Sequence, residues 1–228
     1  MKHGMLMVVS LLGVGPMSAQ AFEGVISTKL SPESDVVEAN MSVKGPMMAT
    51  TVTMPSGPMA GQEARMIMNN STGKMTMLLQ LPAGMGNIPG MAGGKGIKMV
   101  IDVKAEAAKY ANEPGELKKL ATTQKIAGHS CDDYELVTKG KKSTFMCVTD
   151  DLGAFSLPSM GGGRNSPSDW SRILQAKSLF PLKVWTSPDK ALFEVTAIQR
   201  KSIPASTFVI PEGYNDMSGM MGGMGRRP

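Results

Sequence analysis

Methionine is the residue type in this sequence with the most unusual potential for chemistry. The chain of 228 residues contains 22 methionines, but only 2 cysteines and 2 histidines. A thioether sulfur is a soft, uncharged donor that suits Cu(I), and the methionine side chain is also a flexible apolar group that adapts to irregular surfaces. The same residue type can therefore serve a metal site, an apolar ligand site or an ordinary core. The position of each methionine in the sequence is needed to distinguish these three roles.

One group of methionines alternates within segments that we predict to be strands. Its members are Met66, Met68, Met75, Met77 and Met99. Alternate residues of a strand share a face, so the first two pairs should face each other across a hairpin as a methionine stripe. On a concave sheet face this stripe suits a pocket for a flexible apolar ligand, whereas beneath a helix the same stripe is core.

A second group of methionines lies in Gly-rich segments that have no core to fill. Its members are Met85, Met91, Met160, Met217, Met220, Met221 and Met224. The M-x-x-M and M-M spacings near the C-terminus favour Cu(I), so Met217, Met220, Met221 and Met224 form a candidate copper site. Low-complexity drift or a role as sacrificial oxidants explains the same residues without a metal.

The residue sets that most enzymes need are missing from the sequence. His129 is the only histidine beyond the first 21 residues, which leaves one imidazole for any base or metal role. Carboxylates at 132–133 and 150–151 could gather around a hard cation such as calcium, although solvated turn aspartates are the simpler interpretation. No nucleotide, zinc or nucleophile motif accompanies them. We expect a protein that is not an enzyme and that has no cofactor unless copper is bound.

The N-terminus predicts export. A basic start and an apolar stretch at 5–14 precede Ala19-Gln20-Ala21, which fits a signal-peptidase site. We expect residues 1–21 to be a signal peptide, cleaved near Ala21, and the protein to be periplasmic or secreted. In that oxidising compartment Cys131 and Cys147 can form one disulfide.

Composition narrows the class of partner. The formal net charge of +5 comes from scattered lysines, which is too diffuse for a nucleic-acid surface. No apolar run reaches the roughly 20 residues of a membrane span, so we expect a soluble chain. Length and pattern predict a single β-rich domain at 22–214 followed by a flexible Met/Gly-rich tail at 215–228.

The elements that must position these residues are mostly short strands. We predict strands at 22–30, 36–44, 47–54, 64–69, 74–80, 97–103, 124–138, 143–149, 180–186, 191–200 and 207–210. We also predict short helices at 104–110 and 116–121 and a longer one at 169–179, with loops at 82–96 and 157–168. Many strands with few helices favour an antiparallel sheet. A tight turn after 138 would place Cys147 opposite residues 132–134, so a small bulge or a longer loop would bring Cys131 opposite it.

Three segments together resemble a known family. They are 65–79 with its Asn/Gly turn, the I-A-G-H-S-C-D-D-Y segment at 126–134 with its return strand, and 180–214, which ends on F-V-I-P-E-G-Y. They are similar to bacterial exported proteins known only as domain of unknown function 4412, with its I-x-G-x-x-C-x-x-Y and F-x-x-P-x-G-Y patterns. That family is distantly similar to the periplasmic lipoprotein-carrier (Lol-type) fold.

The resemblance implies a mainly β chain of the α+β class. Its strongly curved antiparallel sheet or half-barrel should carry one or two helices against the concave face. No established activity and no catalytic residues come with the resemblance. We therefore expect an exported, non-catalytic binding protein that holds an apolar small molecule, a lipid or a lipoprotein segment. The alternatives are a periplasmic protein that binds or sequesters Cu(I), and an interaction module of the cell envelope.

Overall fold

Twelve strands form one sheet in the computed structural model, which describes residues 22–31, 36–54, 60–80, 95–105, 115–138, 140, 142–153, 169–177 and 179–218. The strands are β1 (Glu23–Leu30), β2 (Val37–Lys44), β3 (Met47–Thr53), β4 (Glu63–Asn69), β5 (Lys74–Gln80), β6 (Gly96–Asp102), β7 (Gly115–Ile126), β8 (His129–Thr138), β9 (Thr144–Thr149), β10 (Phe180–Ser187), β11 (Lys190–Arg200) and β12 (Tyr214–Asp216).

The sheet is curved and unclosed, and its order is β12-β6-β5-β4-β3-β2-β1-β11-β10-β9-β8-β7. All neighbouring strands pair antiparallel except β12, which pairs parallel with β6. The predicted mainly β fold with a curved antiparallel sheet is therefore confirmed. Pairing of β1 with β11, in which Ile26 lies opposite Ile198, joins the two ends of the chain at the middle of the sheet.

Helices are few in the described parts of the chain. They are α1 (Asp169–Ala176), one helical turn at 103–105, and a 3-10 helix at Ala205–Phe208. Within α1, Trp170 and Leu174 lie one turn apart and are both buried. The ring of Trp170 packs against Phe193 of β11, with 6.2 Å between ring centroids. This contact docks α1 on the sheet, and the helix ends at Ala176 rather than at the predicted residue 179.

The start of β7 passes directly beneath α1. A Cβ atom on Gly115 would lie 2.9 Å from Cδ1 of Ile173 and 3.0 Å from Cδ1 of Leu136. A Cβ atom here would require the terminal methyl groups of these two side chains to shift, so glycine lets the helix and the edge strand approach without that adjustment.

Three predicted elements differ from the structure. Residues 116–121, predicted as helix, belong to β7, because pairing with β8 overrides a Lys- and Glu-rich composition that suits an exposed edge strand. The predicted strand at 124–138 is instead two strands, broken by Ala127 and Gly128, which both have positive φ as a two-residue hairpin turn requires. The predicted strand at 207–210 is replaced by the 3-10 helix, and the last strand is β12.

No helix among the described residues is long and apolar enough to cross a membrane. The predicted signal peptide and the predicted loop at 157–168 lie outside the described residues, as do residues 82–94 of the predicted loop at 82–96 and most of the predicted helix at 104–110. Gly96, at the end of that loop, is instead the first residue of β6.

Candidate functional site

The five strand methionines share one face of the sheet. Met66 of β4 lies opposite Met77 of β5, and Met77 lies opposite Met99 of β6. In the neighbouring row Met68 lies opposite Met75. The alternation of side chains along each strand and these registers therefore bring together all five residues, with the facing pairs that the sequence predicts.

The two rows belong to different apolar clusters. Met66 and Met77 pack with Ala39 and Val52, and Met99 packs against that group. The other described residues packed against it are Leu30, Val37 and Leu79, so every described member comes from a strand between β1 and β6. Met68 and Met75 instead join the main core, which also contains Trp170 and Leu174 of α1. We call the strand-only cluster the methionine row cluster.

The side chains of the methionine row cluster are largely withdrawn from water. Met66 is 5% exposed and Met77 is 7% exposed, while Met99 near the sheet edge is partly buried. The main contacts of α1 within the described residues are with β7 and β10, at the other end of the sheet. The cluster is therefore an apolar strip that is elongated across the strands.

Sequence reasoning missed two further methionines on this face. Met41 lies opposite Thr50, which in turn lies opposite Met66, so Met41 is in the same row across the sheet. Met48 lies opposite Met68. Both residues are buried in the main core. Their alternation with Val43 and Thr50 was a usable signal, but the pairing that aligns them with β4 is set by the whole meander.

Only Met217 of the candidate copper residues in the tail lies within the described part of the chain. Its backbone N–H donates to the carbonyl oxygen of Lys98 at 2.9 Å. Asp216 lies opposite Lys98 in the parallel pair, so Met217 follows at the position beside Met99. The tail predicted to start at 215 is thus ordered as a strand and its continuation as far as 218. Met220, Met221 and Met224 lie outside the described residues, as do Met85, Met91 and Met160.

Residues 201–218, here called the C-terminal strap, connect the middle of the sheet to the β6 edge. The guanidinium of Arg65 donates to the carbonyl oxygen of Thr207 at 2.6 Å. Phe208 packs on Ala49, Ile67 and Leu78, which lie on the face opposite the methionines. The F-V-I-P-E-G-Y motif is therefore the part of the strap that crosses the back of β3 to β5 and reaches β12.

Carboxylates fasten both ends of the strap. The backbone N–H of Ile203 and the ammonium of Lys44 donate to Oε1 of Glu23 at 2.6 and 3.0 Å, and these bonds lower the pKa of Glu23. At the other end, the ammonium of Lys98 lies 2.8 Å from Asp216, and with the hydroxyl and N–H of Ser218 it holds the pKa of Asp216 far below its ordinary value.

Acid should loosen the strap before it unfolds the sheet. Both carboxyls have a depressed pKa in the folded chain, so their stabilisation is complete above the ordinary value of 4.5 for Glu23 and is lost as the pH falls through the folded values. Hydrogen exchange, corrected for intrinsic rates, should show the amides of Ile203 and Met217 losing protection in acid ahead of β10. A Glu23→Gln, Asp216→Asn variant should lack this pH dependence, and equal loss across all strands in the parent would contradict it.

The predicted disulfide between Cys131 and Cys147 is present. The two Cα atoms are 5.3 Å apart, and both residues are buried. The backbone of Cys147 lies opposite Asp133, which is within the predicted range of 132–134. The bond therefore runs diagonally across the β8–β9 pair, and the bulge expected between these arms is not required.

The paired aspartates do not assemble a cation site. Asp132 forms an ion pair with Lys119, whereas the buried carboxylate of Asp133 accepts hydrogen bonds from the hydroxyl of Thr122 and the amide of Gln124. Asp150 and Asp151 are exposed. Among the described residues, no group of three or more His, Cys, Asp or Glu side chains could hold a metal ion. The calcium interpretation thus has no support, because successive strand residues point to opposite faces.

Comparisons with known proteins identify a family but no activity. A family model described as a domain of unknown function (DUF4412) matches residues 22–214. No curated protein matches the chain. One similar solved structure is that of PNGF-II, with 11% sequence identity over 88% of this chain and a TM-score of 0.49. This chain spans 32% of the length of that structure.

Proposed function

Because the chain belongs to a family described as a domain of unknown function, DUF4412, we propose its function from its own site: an exported, non-catalytic protein that holds a flexible apolar ligand, such as a lipid acyl chain, on the methionine row cluster. The observation that carries the proposal is the apolar cluster that spans β1 to β6, in which Met66, Met77 and Met99 lie side by side.

The shape of this face favours a chain-like ligand. The cluster runs from Leu30 of β1 to Met99 of β6 across six strands, and strands lie about 4.8 Å apart, so it is roughly 24 Å long. The adjoining rows carry small or apolar residues such as Ala39, Ala64 and Leu79. An elongated apolar strip of this kind can follow an extended hydrocarbon chain.

Methionine gives this surface the adaptability that such a ligand needs. Its unbranched side chain has three rotatable bonds and a polarisable sulfur, so several methionines can repack around chains of different length or curvature. The predicted signal peptide and the Cys131–Cys147 disulfide support an extracytoplasmic setting, where disulfides persist. Lipids and lipoprotein segments are the apolar ligands available in a cell envelope.

Replacing Met66 and Met77 with glutamine should weaken binding of a fluorescent fatty-acid probe by about tenfold or more. Both side chains are already buried without ligand, so most of the cost of about 1–3 kcal/mol for each unpaired amide falls on folding, and a further loss of about 1.4 kcal/mol in contact with the probe is tenfold in affinity. The matched control is Met47→Gln, because Met47 lies on the opposite face of β3 and contacts Phe208's cluster instead. Urea unfolding of both variants separates lost binding from lost fold.

Native mass spectrometry of the protein purified from its own envelope provides an independent test. A lipid-sized adduct on the parent chain that is absent from the double variant is the expected result. A parent chain without any adduct, together with equal probe binding by the parent, the double variant and the Met47→Gln control, would contradict the proposed function.

A further inference from the structure

Met66, Met77 and Met99 of the methionine row cluster, here called the methionine row, also have the chemistry of a soft metal site. Residues directly opposite each other on antiparallel strands have Cβ atoms about 4.5–5.5 Å apart. Met77 lies between Met66 and Met99 in this way, and all three side chains are on one face and pack in one cluster. Since each sulfur lies two bonds beyond its Cβ on an unbranched stem, a change of rotamer can bring the three sulfurs together above Met77.

We propose that Met66, Met77 and Met99 bind one Cu(I) ion through their thioether sulfurs. Thioethers are soft donors that select Cu(I) over harder divalent ions. No described member of the cluster supplies a nitrogen or carboxylate side chain, which Cu(II) and Zn(II) would require. The apolar surroundings add to this selection, because a low-polarity shell favours the lower charge state.

The position of this site differs from the copper site that the sequence suggests. That hypothesis relied on the spacing of Met217, Met220, Met221 and Met224 in the tail, where three of the four lie outside the described residues. The methionine row has a defined register. The hydrogen bond from the backbone N–H of Met217 to the carbonyl oxygen of Lys98 holds Met217 at the position beside Met99. Met217 is therefore placed to supply a fourth sulfur.

The inference goes beyond the proposed function and can fail separately from it. Leucine preserves the apolar surface and approximate volume of methionine but has no sulfur, and such exchanges are well tolerated in cores. Leucine substitutions in the row should therefore remove the metal site while keeping the fold, and fatty-acid binding is tested separately on the parent chain.

The test titrates the full chain from residue 22 with Cu(I), kept reduced by ascorbate, against a chromogenic Cu(I) chelator. Three variants are compared with the parent. The row variant combines Met66→Leu, Met77→Leu and Met99→Leu, and the tail variant replaces Met220, Met221 and Met224 with leucine. Met47→Leu is the matched control on the opposite face. Ag(I) serves as a redox-inert probe of the same site, and Zn(II) as the hard counterpart.

The row variant should lose one equivalent of Cu(I) and of Ag(I), while the tail variant and the Met47→Leu control keep it. Met77→Leu alone should weaken Cu(I) binding by about tenfold or more, since loss of even an outer-shell partner of a metal ligand costs 10–100-fold. This single variant also tests the site if the triple variant fails to fold. The affinity should be constant between about pH 5 and 8, because thioethers do not titrate there.

Retention of the parent stoichiometry by the row variant would overturn the proposal. Loss of Cu(I) in the tail variant alone would likewise overturn it and return the copper site to the tail. Fatty-acid probe binding is measured on the metal-free parent chain: its absence would contradict the proposed function, whereas Cu(I) binding that the row variant loses would still support the metal site.

Discussion

Replacing Phe193 with alanine should lower the free energy of unfolding by about 3–5 kcal/mol, the usual cost of emptying a fully buried phenylalanine site. Phe193 is 1% exposed and lies at the middle of the sheet, opposite Leu30 of β1 and Val184 of β10. Its ring also packs against the ring of Trp170 in α1. The substitution therefore leaves a cavity where β11 pairs with β1 and α1 packs on the sheet.

The measurement is urea unfolding followed by far-UV circular dichroism, with tryptophan fluorescence to report the environment of Trp170. Leu192→Ala is the control, because Leu192 is the adjacent residue of β11 and only partly buried, so it should cost clearly less. A change of under about 1 kcal/mol for Phe193→Ala would show that the surroundings collapse around the smaller side chain, and would contradict the central role of this contact.

Alternation in β1 and β2, together with the turn residues that bound the later strands, was sufficient to predict the first six strands from the sequence. Buried residues such as Ile26 in β1 and Met41 in β2 alternate with more exposed ones. The same alternation predicted that Met66 and Met77 would face each other. A strand with one buried face carries its register in its hydrophobic pattern, because a slip of one residue would turn that face to solvent.

The edge strand β7 shows where this reasoning fails. Leu117 and the lysines around it have the composition of a helix, and most residues of β7 are exposed, so the strand has little hydrophobic alternation. What makes it a strand is pairing with β8 and the hydrogen bonds from Thr122 and Gln124 to Asp133. The tertiary fold determines which strand pairs with β7, and local propensity gives no information about that partner.

The division of the methionines into two clusters was not predictable for a similar reason. Met66 and Met68 differ by two positions on one strand, yet one packs in the strand-only cluster and the other in the core that reaches α1. That difference depends on which side chains from other elements meet each methionine once the sheet is curved, and Met68 joins the cluster that also contains Trp170 and Leu174 of α1. The sequence could place both residues on one face but could not say what covers each of them.

Loss of the Cys131–Cys147 disulfide should lower the free energy of unfolding by about 3 kcal/mol. The two cysteines are separated by 16 positions, and closing a loop of that length in the unfolded chain accounts for about this value. Both residues are buried, so alanine at the two positions avoids placing unpaired hydroxyls in the core. Urea midpoints of the parent and of the Cys131→Ala, Cys147→Ala variant measure the effect.

The same bond should have a local effect at the end of the sheet. β7 contacts the rest of the sheet mainly through β8, and the disulfide fastens β8 to β9. Hydrogen exchange in β7 and β8 should therefore accelerate in the variant more than exchange in β2 to β5, because fraying at an edge costs less free energy than global unfolding. Reductant should reproduce this pattern in the parent and leave the variant unchanged. An equal response of both proteins to reductant would contradict the assignment, since the variant has no disulfide to break.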